Sequence, residues 1–289
     1  MTHESVEGFY EGHGFMNATD LYVFSGTGNT LRAARAMAER LGERGIETRL
    51  LPMERSDPAK VDLDRTLGLA CPVSAQSTYP LVWDFARRLP QAVGTEVFLV
   101  DTLQMFSGGI LGPMRRCLAQ KGYRPLGALE IRMPGNLFRK RLVPEAEERV
   151  IQAGLEKARA FADDLAAGRT TWRPGRVWEW LFYGCMRSAY GSGFMSRAAR
   201  FNVKAESCTK CGLCQRLCPV GAIRMGSDGL PQWGPSCNVC LRCFSYCPTG
   251  AIRMGRGDFA RHRAVKASDF LESWETRLPD CRTSRAGAS

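Results

Sequence analysis

The 289-residue chain has no long hydrophobic run. Its longest apolar stretch, Val177 to Met186, is about half as long as the ~20 residues that cross a bilayer, and it contains Glu179. Residues 1–16 contain no lysine or arginine, so the basic start of a secretory signal is missing too. These absences argue against a transmembrane segment and make a cytoplasmic protein the expectation.

Histidine is scarce as well. The chain has three, His3, His13 and His262, and none belongs to a Ser-His-Asp or metal-hydrolase pattern. The sequence therefore offers little acid–base equipment for hydrolytic chemistry. Apolar residues make up 44% of the chain and charged residues 24%, which is close to the globular average and excludes long-range disorder.

Cysteine and positive charge are plentiful, and both are unevenly placed. Eight of the 12 cysteines fall between Cys208 and Cys247. Residues 1–168 contain 21 basic and 21 acidic side chains, whereas residues 169–289 contain 19 and 8, so the whole formal charge of +11 lies in the C-terminal part. In a reducing compartment such cysteines rarely form disulfides. The pattern predicts two differently built halves.

The first half alternates strand and helix patterns. An apolar run at residues 21–24 is followed at once by Ser25-Gly26-Thr27-Gly28-Asn29-Thr30 and then by a helical pattern from Leu31. The spacing predicts further strands over 47–51, 66–71, 96–100 and 126–133. It predicts further helices over 81–89, 110–121 and 144–167. Five strands alternating with helices predict a parallel sheet that is covered on both faces.

Three kinds of phosphate-binding loop compete for residues 25–30. A nucleoside-triphosphate loop needs a lysine, which is missing, and a dinucleotide fingerprint needs a third glycine where this chain has Leu31. A loop with three hydroxyl groups, one amide and no cation suits a terminal monophosphate, bound by backbone N–H groups at a helix start. The alternative is a glycine-rich turn that tightens the connection without a ligand.

This loop, placed directly after the first strand, resembles the flavin mononucleotide (FMN) phosphate loop of flavodoxins, and the resemblance covers residues 20–168. It implies an FMN cofactor and an α/β, doubly wound parallel sheet of order 2-1-3-4-5, with ligand loops after strands 1, 3 and 4. The later loops, residues 72–80 and 101–109, add the candidate cofactor-binding residues Ser74, Tyr79, Thr102, Gly108 and Gly109. Tyr79 and Phe106 are candidates to flank the flavin ring, with ordinary loop packing as the alternative.

An internal repeat organises the second half. The run Cys208-x2-Cys211-x2-Cys214-x3-Cys218-Pro recurs 29 residues later as Cys237-x2-Cys240-x2-Cys243-x3-Cys247-Pro. This is the spacing of bacterial two-cluster ferredoxins, in which each fourth cysteine ligates the other cluster. It predicts one [4Fe–4S] cluster held by Cys208, Cys211, Cys214 and Cys247. It predicts a second cluster held by Cys218, Cys237, Cys240 and Cys243. A pair of zinc sites is disfavoured, because zinc rarely takes a third cysteine two residues on.

These patterns divide the chain into five segments. They are an N-terminal extension (1–19), the flavodoxin-like FMN domain (20–168), an aromatic and basic connector (169–204), a small α+β two-cluster ferredoxin-like domain (205–255) and a C-terminal helix with a tail (256–289). The C-terminal helix is predicted to begin at Ser268, with Phe270, Leu271, Trp274 and Leu278 on one face. The favoured interpretation of the connector is that its aromatic rings clamp the two domains together. Nucleic-acid binding and contact with a membrane surface are the alternatives.

The combination resembles the flavodoxin–ferredoxin fusion proteins of bacteria and archaea over residues 20–255. That resemblance implies electron transfer between FMN, the two clusters and a protein redox partner. The excess positive charge predicts an acidic redox protein, which would dock near the clusters at Arg216, Arg224, Arg242 and Arg253. The alternative is an enzyme whose flavin reduces a small substrate and is fed by the clusters. A nucleic-acid partner rests on basicity alone and is not expected.

Overall fold

One parallel sheet forms the centre of the first domain. The computed structural model describes residues 16, 18–137, 143–255, 257 and 259–272. The five strands are β1 (Ala18–Val23), β2 (Glu47–Pro52), β3 (Thr66–Pro72), β4 (Glu96–Leu103) and β5 (Arg124–Arg132). Every neighbouring pair is parallel and the order is β2-β1-β3-β4-β5. The flavodoxin-like fold expected from the sequence is confirmed.

Four helices cover the two faces of this sheet. They are α1 (Asn29–Glu43), α2 (Pro80–Arg88), α3 (Leu111–Ala119) and α4 (Pro144–Ala166). Side chains of α1 and α4 share one apolar core, and those of α2 and α3 share another on the opposite face. Because it is covered from both sides, β3 is buried along its whole length. Strand β4 runs three residues further than the sequence pattern indicates, so Asp101 and Thr102 lie in β4 rather than in the loop after it.

The connector folds into two helices, α5 (Val177–Gly191) and α6 (Phe194–Ala199). The first is fixed to the flavodoxin-like domain by the buried Glu179, which accepts a hydrogen bond from the Gly112 backbone N–H at 2.8 Å. At the other end, the backbone carbonyl of Ala199 accepts from the Gly255 N–H at 3.1 Å. The connector therefore contacts both domains.

The cysteine-rich domain is built from two small antiparallel pairs. Strand β6 (Phe201–Val203) pairs with β9 (Ile252–Met254), and β7 (Ile223–Met225) pairs with β8 (Pro231–Trp233). Two short helices, α7 (Leu213–Arg216) and α8 (Arg242–Tyr246), each contain the third cysteine of their repeat, Cys214 and Cys243.

The predicted C-terminal helix is a single 3-10 turn at Ser268–Phe270 in the described part of the chain. Phe270 is buried against Tyr246, with ring centroids 5.4 Å apart, so this segment does pack back onto the body. Trp274 and Leu278 lie outside the described residues. No helix that the structure describes is long and apolar enough to cross a membrane.

Candidate functional site

A cavity of about 400 Å³ lies at the carboxyl edge of the sheet, where the loops after β1, β3 and β4 meet. Ligands of doubly wound sheets bind at this edge, and the volume suits a small cofactor. The predicted residues that line it are Ser25, Gly26, Thr27, Asn29, Thr30, Ser74, Tyr79 and Thr102. The described lining contains no charged side chain, so any phosphate held here is bound by dipoles and neutral donors.

The phosphate loop has an unmet hydrogen-bonding group that fits a phosphate. The Thr27 hydroxyl is buried and has no hydrogen-bond partner among the described residues. Its neighbours are already paired, because Ser25 Oγ accepts from the Gly28 N–H at 3.1 Å and the Thr30 hydroxyl lies 2.7 Å from the Thr102 hydroxyl. A buried hydroxyl left unpaired is costly, and a phosphate oxygen would satisfy it. The loop therefore fits the monophosphate group expected from the sequence.

Asn29 holds the rim of the cavity together. Its amide nitrogen donates to the Pro134 carbonyl at 2.7 Å, and its amide oxygen lies 2.9 Å from Nε2 of His262. The other ring nitrogen of His262 lies 3.1 Å from a carboxylate oxygen of Glu147. Sequence reasoning placed His262 outside both cofactor motifs, and no local signal could have linked it to a loop 233 residues away.

Two loop glycines are needed for contact with later parts of the chain. A Cβ on Gly26 would collide with the backbone carbonyl of Cys240 in the cysteine-rich domain. A Cβ built on Gly28 would meet the Val265 side chain of the C-terminal segment at 2.7 Å, and its φ of +110° is itself unfavourable for other residues. Gly28 does not line the cavity. The absent side chains therefore let the cysteine-rich domain approach at Gly26 and the C-terminal segment approach at Gly28, in addition to any role toward a phosphate.

The loop after β4 is used differently from the expectation. Gly108 and Gly109 do not line the cavity; Gly109 donates its N–H to the Gln76 carbonyl at 2.7 Å. Phe106 packs against Phe182, with centroids 6.0 Å apart, which is the loop packing held open as the alternative. Tyr79 does line the cavity. Burial raises its pKa above the ordinary value, so it stays protonated.

The structure brings the predicted crossed cysteine sets together. The outer set, by which we mean Cys208, Cys211, Cys214 and Cys247, lines one small cavity. The inner set is Cys218, Cys237, Cys240 and Cys243. Burial raises the pKa of its last three thiols, and the charge of nearby Cys218 raises each of them further. In both sets the fourth cysteine comes from the other repeat.

The donor chemistry of these sets fits an iron–sulfur cubane. Each set offers four soft thiol ligands, one for each iron of a cluster. In the part of the chain that the structure describes, no three His, Cys, Asp or Glu side chains are grouped so as to hold one metal ion. Ligands of a cubane bind four different irons and so stand further apart than ligands of a single ion.

The two cysteine loops share an unusual backbone. Lys210 and Gly212 have φ values of 56° and 68°, and the residues 29 positions later, Val239 and Leu241, have 56° and 65°. A β-branched residue at positive φ is a genuine outlier, and each such residue costs about 1–3 kcal/mol. The turn directs backbone N–H groups toward sulfur, because the Val239 N–H lies 3.5 Å from the Cys237 sulfur. Strain repeated at equivalent positions indicates loops shaped for a ligand.

The two sets differ in their exposure to solvent. Cys211 of the outer set is exposed, whereas Cys240 and Cys243 of the inner set are buried. Burial raises the pKa of Cys240 to about 12, against the opposing charge of Arg242. For Cys247 burial also acts upward, but backbone N–H groups, the first from Ile252, outweigh it and lower the pKa.

The inner set and the cavity at the carboxyl edge of the sheet share a wall, because residues of the inner cysteine loop line the cavity. Val239 and Leu241, which flank Cys240 in sequence, line the cavity together with Met254. The Tyr246 hydroxyl donates to the Thr27 carbonyl at 2.9 Å. The residues between the inner cysteines thus form part of the cavity surface, which makes the two sites direct neighbours.

Arg242 directly follows Leu241 of this wall in sequence, and its burial contradicts its predicted role in docking. Its side chain is 2% exposed and forms an ion pair with Glu54, Nη1 to Oε1, at 2.8 Å. It also donates to the carbonyls of Ser25 at 2.6 Å and Leu217 at 3.3 Å, and its guanidinium lies 4.1 Å from the centroid of the Phe270 ring. An arginine that is buried and held by these contacts cannot meet a partner. The other three predicted docking arginines, Arg216, Arg224 and Arg253, are exposed.

A family model matches the first part of the second domain. The family model of the 4Fe-4S binding domain matches residues 201–224. No curated protein matches the chain.

Similar solved structures cover the first half. A flavodoxin of Streptococcus pneumoniae TIGR4 is 19% identical, with 52% of this chain and 97% of that chain covered and a TM-score of 0.39. The flavodoxin of Megasphaera elsdenii is 19% identical, with 48% and 98% covered and a TM-score of 0.35. The NAD(P)H:quinone oxidoreductase of Methanothermobacter marburgensis is 13% identical, with 53% and 96% covered and a TM-score of 0.40. These similarities are low, and it is the strand order that defines the fold.

The chain therefore joins a flavodoxin-like domain to a 4Fe–4S binding domain. This pair of domains is that of an electron-transfer protein of the flavin and iron–sulfur class.

Proposed function

We propose that the chain carries electrons between FMN, two [4Fe–4S] clusters and a protein redox partner. The observation that carries this proposal is the shared wall, in which Val239 and Leu241 of the inner cysteine loop line the cavity beside the phosphate loop. This shared wall would bring the two predicted redox groups close together. An enzyme that used its clusters only for structure would have no need of this contact.

The residues present divide the work between three places. The cavity holds FMN, with its phosphate at Thr27 and its ring toward Tyr79, and the two cysteine sets hold the clusters. When bound, the clusters exchange one electron at a time and the flavin accepts one or two. The chain itself fixes how far the inner set lies from the cavity. Arg242 donates to the Ser25 carbonyl at 2.6 Å, and Tyr246 donates to the Thr27 carbonyl at 2.9 Å.

FMN is proposed rather than a dinucleotide. The cavity is served by a single phosphate loop, and its described lining is uncharged. The sequence has no second nucleotide fingerprint to hold an adenosine.

The compartment that suits eight ligand thiols is the cytoplasm, where thiols stay reduced.

The partner is proposed to be an acidic redox protein that docks beside the outer set. Cys211 is exposed there, and Lys210 precedes it and lines the same small cavity. Arg216 lies exposed on the helix that follows. Electrons would then pass between the partner and FMN by way of the outer and inner sets in turn. Charge steering of such an encounter raises association rates by about 10- to 1000-fold.

The rival function, reduction of a small substrate at the flavin, has weaker support. Tyr79 is the only titratable side chain in the described lining of the cavity, and its pKa is raised by burial. Asp101 is buried in β4 and does not line the cavity.

Anaerobic preparation of the whole chain tests the cofactor content. We expect about eight iron and eight sulfide per chain, as two [4Fe–4S] clusters require, and one FMN. Zinc in place of iron, or stoichiometric dinucleotide in place of FMN, would contradict the proposal.

Rapid mixing of the reconstituted protein with a one-electron reductant tests the path. Cluster bleaching should precede flavin bleaching, and the rate with the physiological partner should fall as ionic strength rises past about 0.15 M, where the Debye length is about 8 Å. Flavin reduction at an unchanged rate in protein that lacks clusters would contradict the electron path. A rate that is flat or rises with salt would contradict acidic docking.

A further inference from the structure

Helix α5 presents an apolar face to solvent. The α5 outer face consists of Val177, Trp178, Leu181 and Cys185, which recur at helical spacing along one side. Val177 is 81% exposed, Leu181 66% and Trp178 37%. An apolar helix face is normally covered by protein or lipid. This exposed face therefore points to a surface that covers it.

The opposite side of α5 is firmly attached. Glu179 is fully buried, and Arg173 donates to its second carboxylate oxygen at 2.5 Å. Further along, the Tyr183 hydroxyl accepts from Arg87 at 3.1 Å, and the Tyr190 hydroxyl lies 2.8 Å from the Ser74 hydroxyl. These contacts fix the rotation of the helix, so the outer face is directed away from the protein by the fold.

Neighbouring rings widen the apolar surface. Trp178 lies 5.9 Å from Phe182 and 6.4 Å from Phe106, measured between ring centroids. Beside Phe106, Met105 is 74% exposed, and Phe194 at the start of α6 is 59% exposed. Large contiguous apolar surfaces of this kind mark interaction sites.

The charges around the face are of one sign. Residues 170–204 contain six basic side chains and one acidic one, Glu179. The charge of Glu179 is neutralised by its buried ion pair with Arg173. Arg176 precedes the outer face and Arg187 follows it, and both are exposed. Arg197 and Arg200 continue the exposed positive charge through α6. Aromatic and aliphatic side chains bordered by arginine are the composition of helices that lie in a membrane interface.

We propose that α5 attaches this protein to an anionic lipid surface. The outer face lies in the boundary between headgroups and acyl chains, and the bordering arginines meet the lipid phosphates. A second copy of the chain fits less well, because a two-fold contact places the same patch on both sides and would bring the arginines of both copies together. This inference concerns a surface that the electron-transfer proposal does not use.

Co-sedimentation of the reconstituted protein with lipid vesicles tests this surface. We expect binding to vesicles of phosphatidylglycerol with phosphatidylcholine and little binding to phosphatidylcholine alone. Raising salt from about 0.15 M to about 1 M should weaken it, because the Debye length shrinks from about 8 Å to about 3 Å. Bromine-labelled lipid should quench tryptophan fluorescence in the wild type and much less in Trp178→Phe.

Leu181→Asn should bind about tenfold more weakly, as expected when one leucine is no longer buried in lipid. The matched control is Val93→Ser, since Val93 is also fully exposed and apolar but lies in the loop between α2 and β4. Flavin and iron content report that each variant is folded, and Val177→Ser replaces Leu181→Asn if the latter loses them.

Three results would overturn the proposal. The first is equal binding to neutral and anionic vesicles, or none to either. The second is an affinity that Leu181→Asn and Val177→Ser leave unchanged, which would assign binding to the general positive charge. The third is a dimer without lipid that Leu181→Asn dissociates, which would show that a second copy covers the face.

Discussion

Arg242 and Glu54 should stabilise the folded protein as an ion pair, so that removing one of them alone is strongly destabilising. In Arg242→Leu the Glu54 carboxylate, whose side chain is 6% exposed, loses its partner at 2.8 Å. The Ser25 and Leu217 carbonyls lose their donors at the same time. Removing one member of a buried ion pair costs about 3–5 kcal/mol, and hydrogen bonds to a charged group contribute about 1.5–3 kcal/mol each to such a total. Leucine is a fair test residue, because Leu213 occupies the same position in the first repeat.

The assay is a double-mutant cycle with Glu54→Leu, read from denaturation of the reconstituted protein by flavin fluorescence and cluster absorbance. Each single variant should lose about 3–5 kcal/mol, whereas the double variant should lose much less than the sum, because no uncompensated charge stays buried. FMN affinity should fall in Arg242→Leu, since the phosphate-loop carbonyl of Ser25 loses its support. Arg216→Leu, at an exposed arginine of the equivalent helix, should stay within about 0.5 kcal/mol of wild type.

Two outcomes would refute this reasoning. Additive losses in the cycle would show that Arg242 and Glu54 do not act as a pair. A loss in Arg242→Leu no larger than that in Arg216→Leu would show that the interface between the domains does not depend on this side chain.

Three further predictions follow from single positions. Gly26→Ala should lower the FMN content and the inner-set iron content together, because its Cβ would push the inner cysteine loop away. The control is Gly184→Ala, which should change neither because nothing lies within 4 Å of its Cβ. Loss of iron alone in Gly26→Ala would contradict the shared wall. Cys218→Ser should alter the electron paramagnetic resonance signal of the cluster held by Cys237 and leave the outer cluster intact; the reverse result would contradict crossed ligation. Burial raises the pKa of Asp101 to about 8, so the folded protein retains a proton that the unfolded chain releases near pH 4, and stability falls as pH rises between about pH 4 and about pH 8. Asp101→Asn should therefore gain stability over wild type across that window, and parallel pH profiles of the denaturation midpoint would rule this out.

The alternation of strands and helices, the phosphate loop and the cysteine repeat follow local patterns in this sequence, whereas the strand order and the crossed ligation follow from the resemblances that those patterns carry. The loop from Ser25 to Thr30 is recognisable because a glycine- and hydroxyl-rich turn between strand and helix is set by backbone geometry within a few residues. The cysteine repeat is recognisable for the same reason, since a two-residue spacing places three thiols on one turn. Element ends depend less on local pattern: the pattern places Asp101 in a loop, whereas hydrogen bonding across the sheet extends β4 to Leu103.

The tertiary structure alone decided which side chains meet across the two domains. The sequence by itself determined a flavodoxin-like half and a cysteine-rich half, each from short-range spacing. It could not assign Arg242 to Glu54 or His262 to Asn29, because those partners are far apart in the chain and their pairing depends on how the domains pack. An arginine in a basic repeat looks like surface charge until the neighbouring domain buries it. Burial is a property of the whole packed chain, and it turned a predicted docking residue into the central contact between the two candidate redox sites.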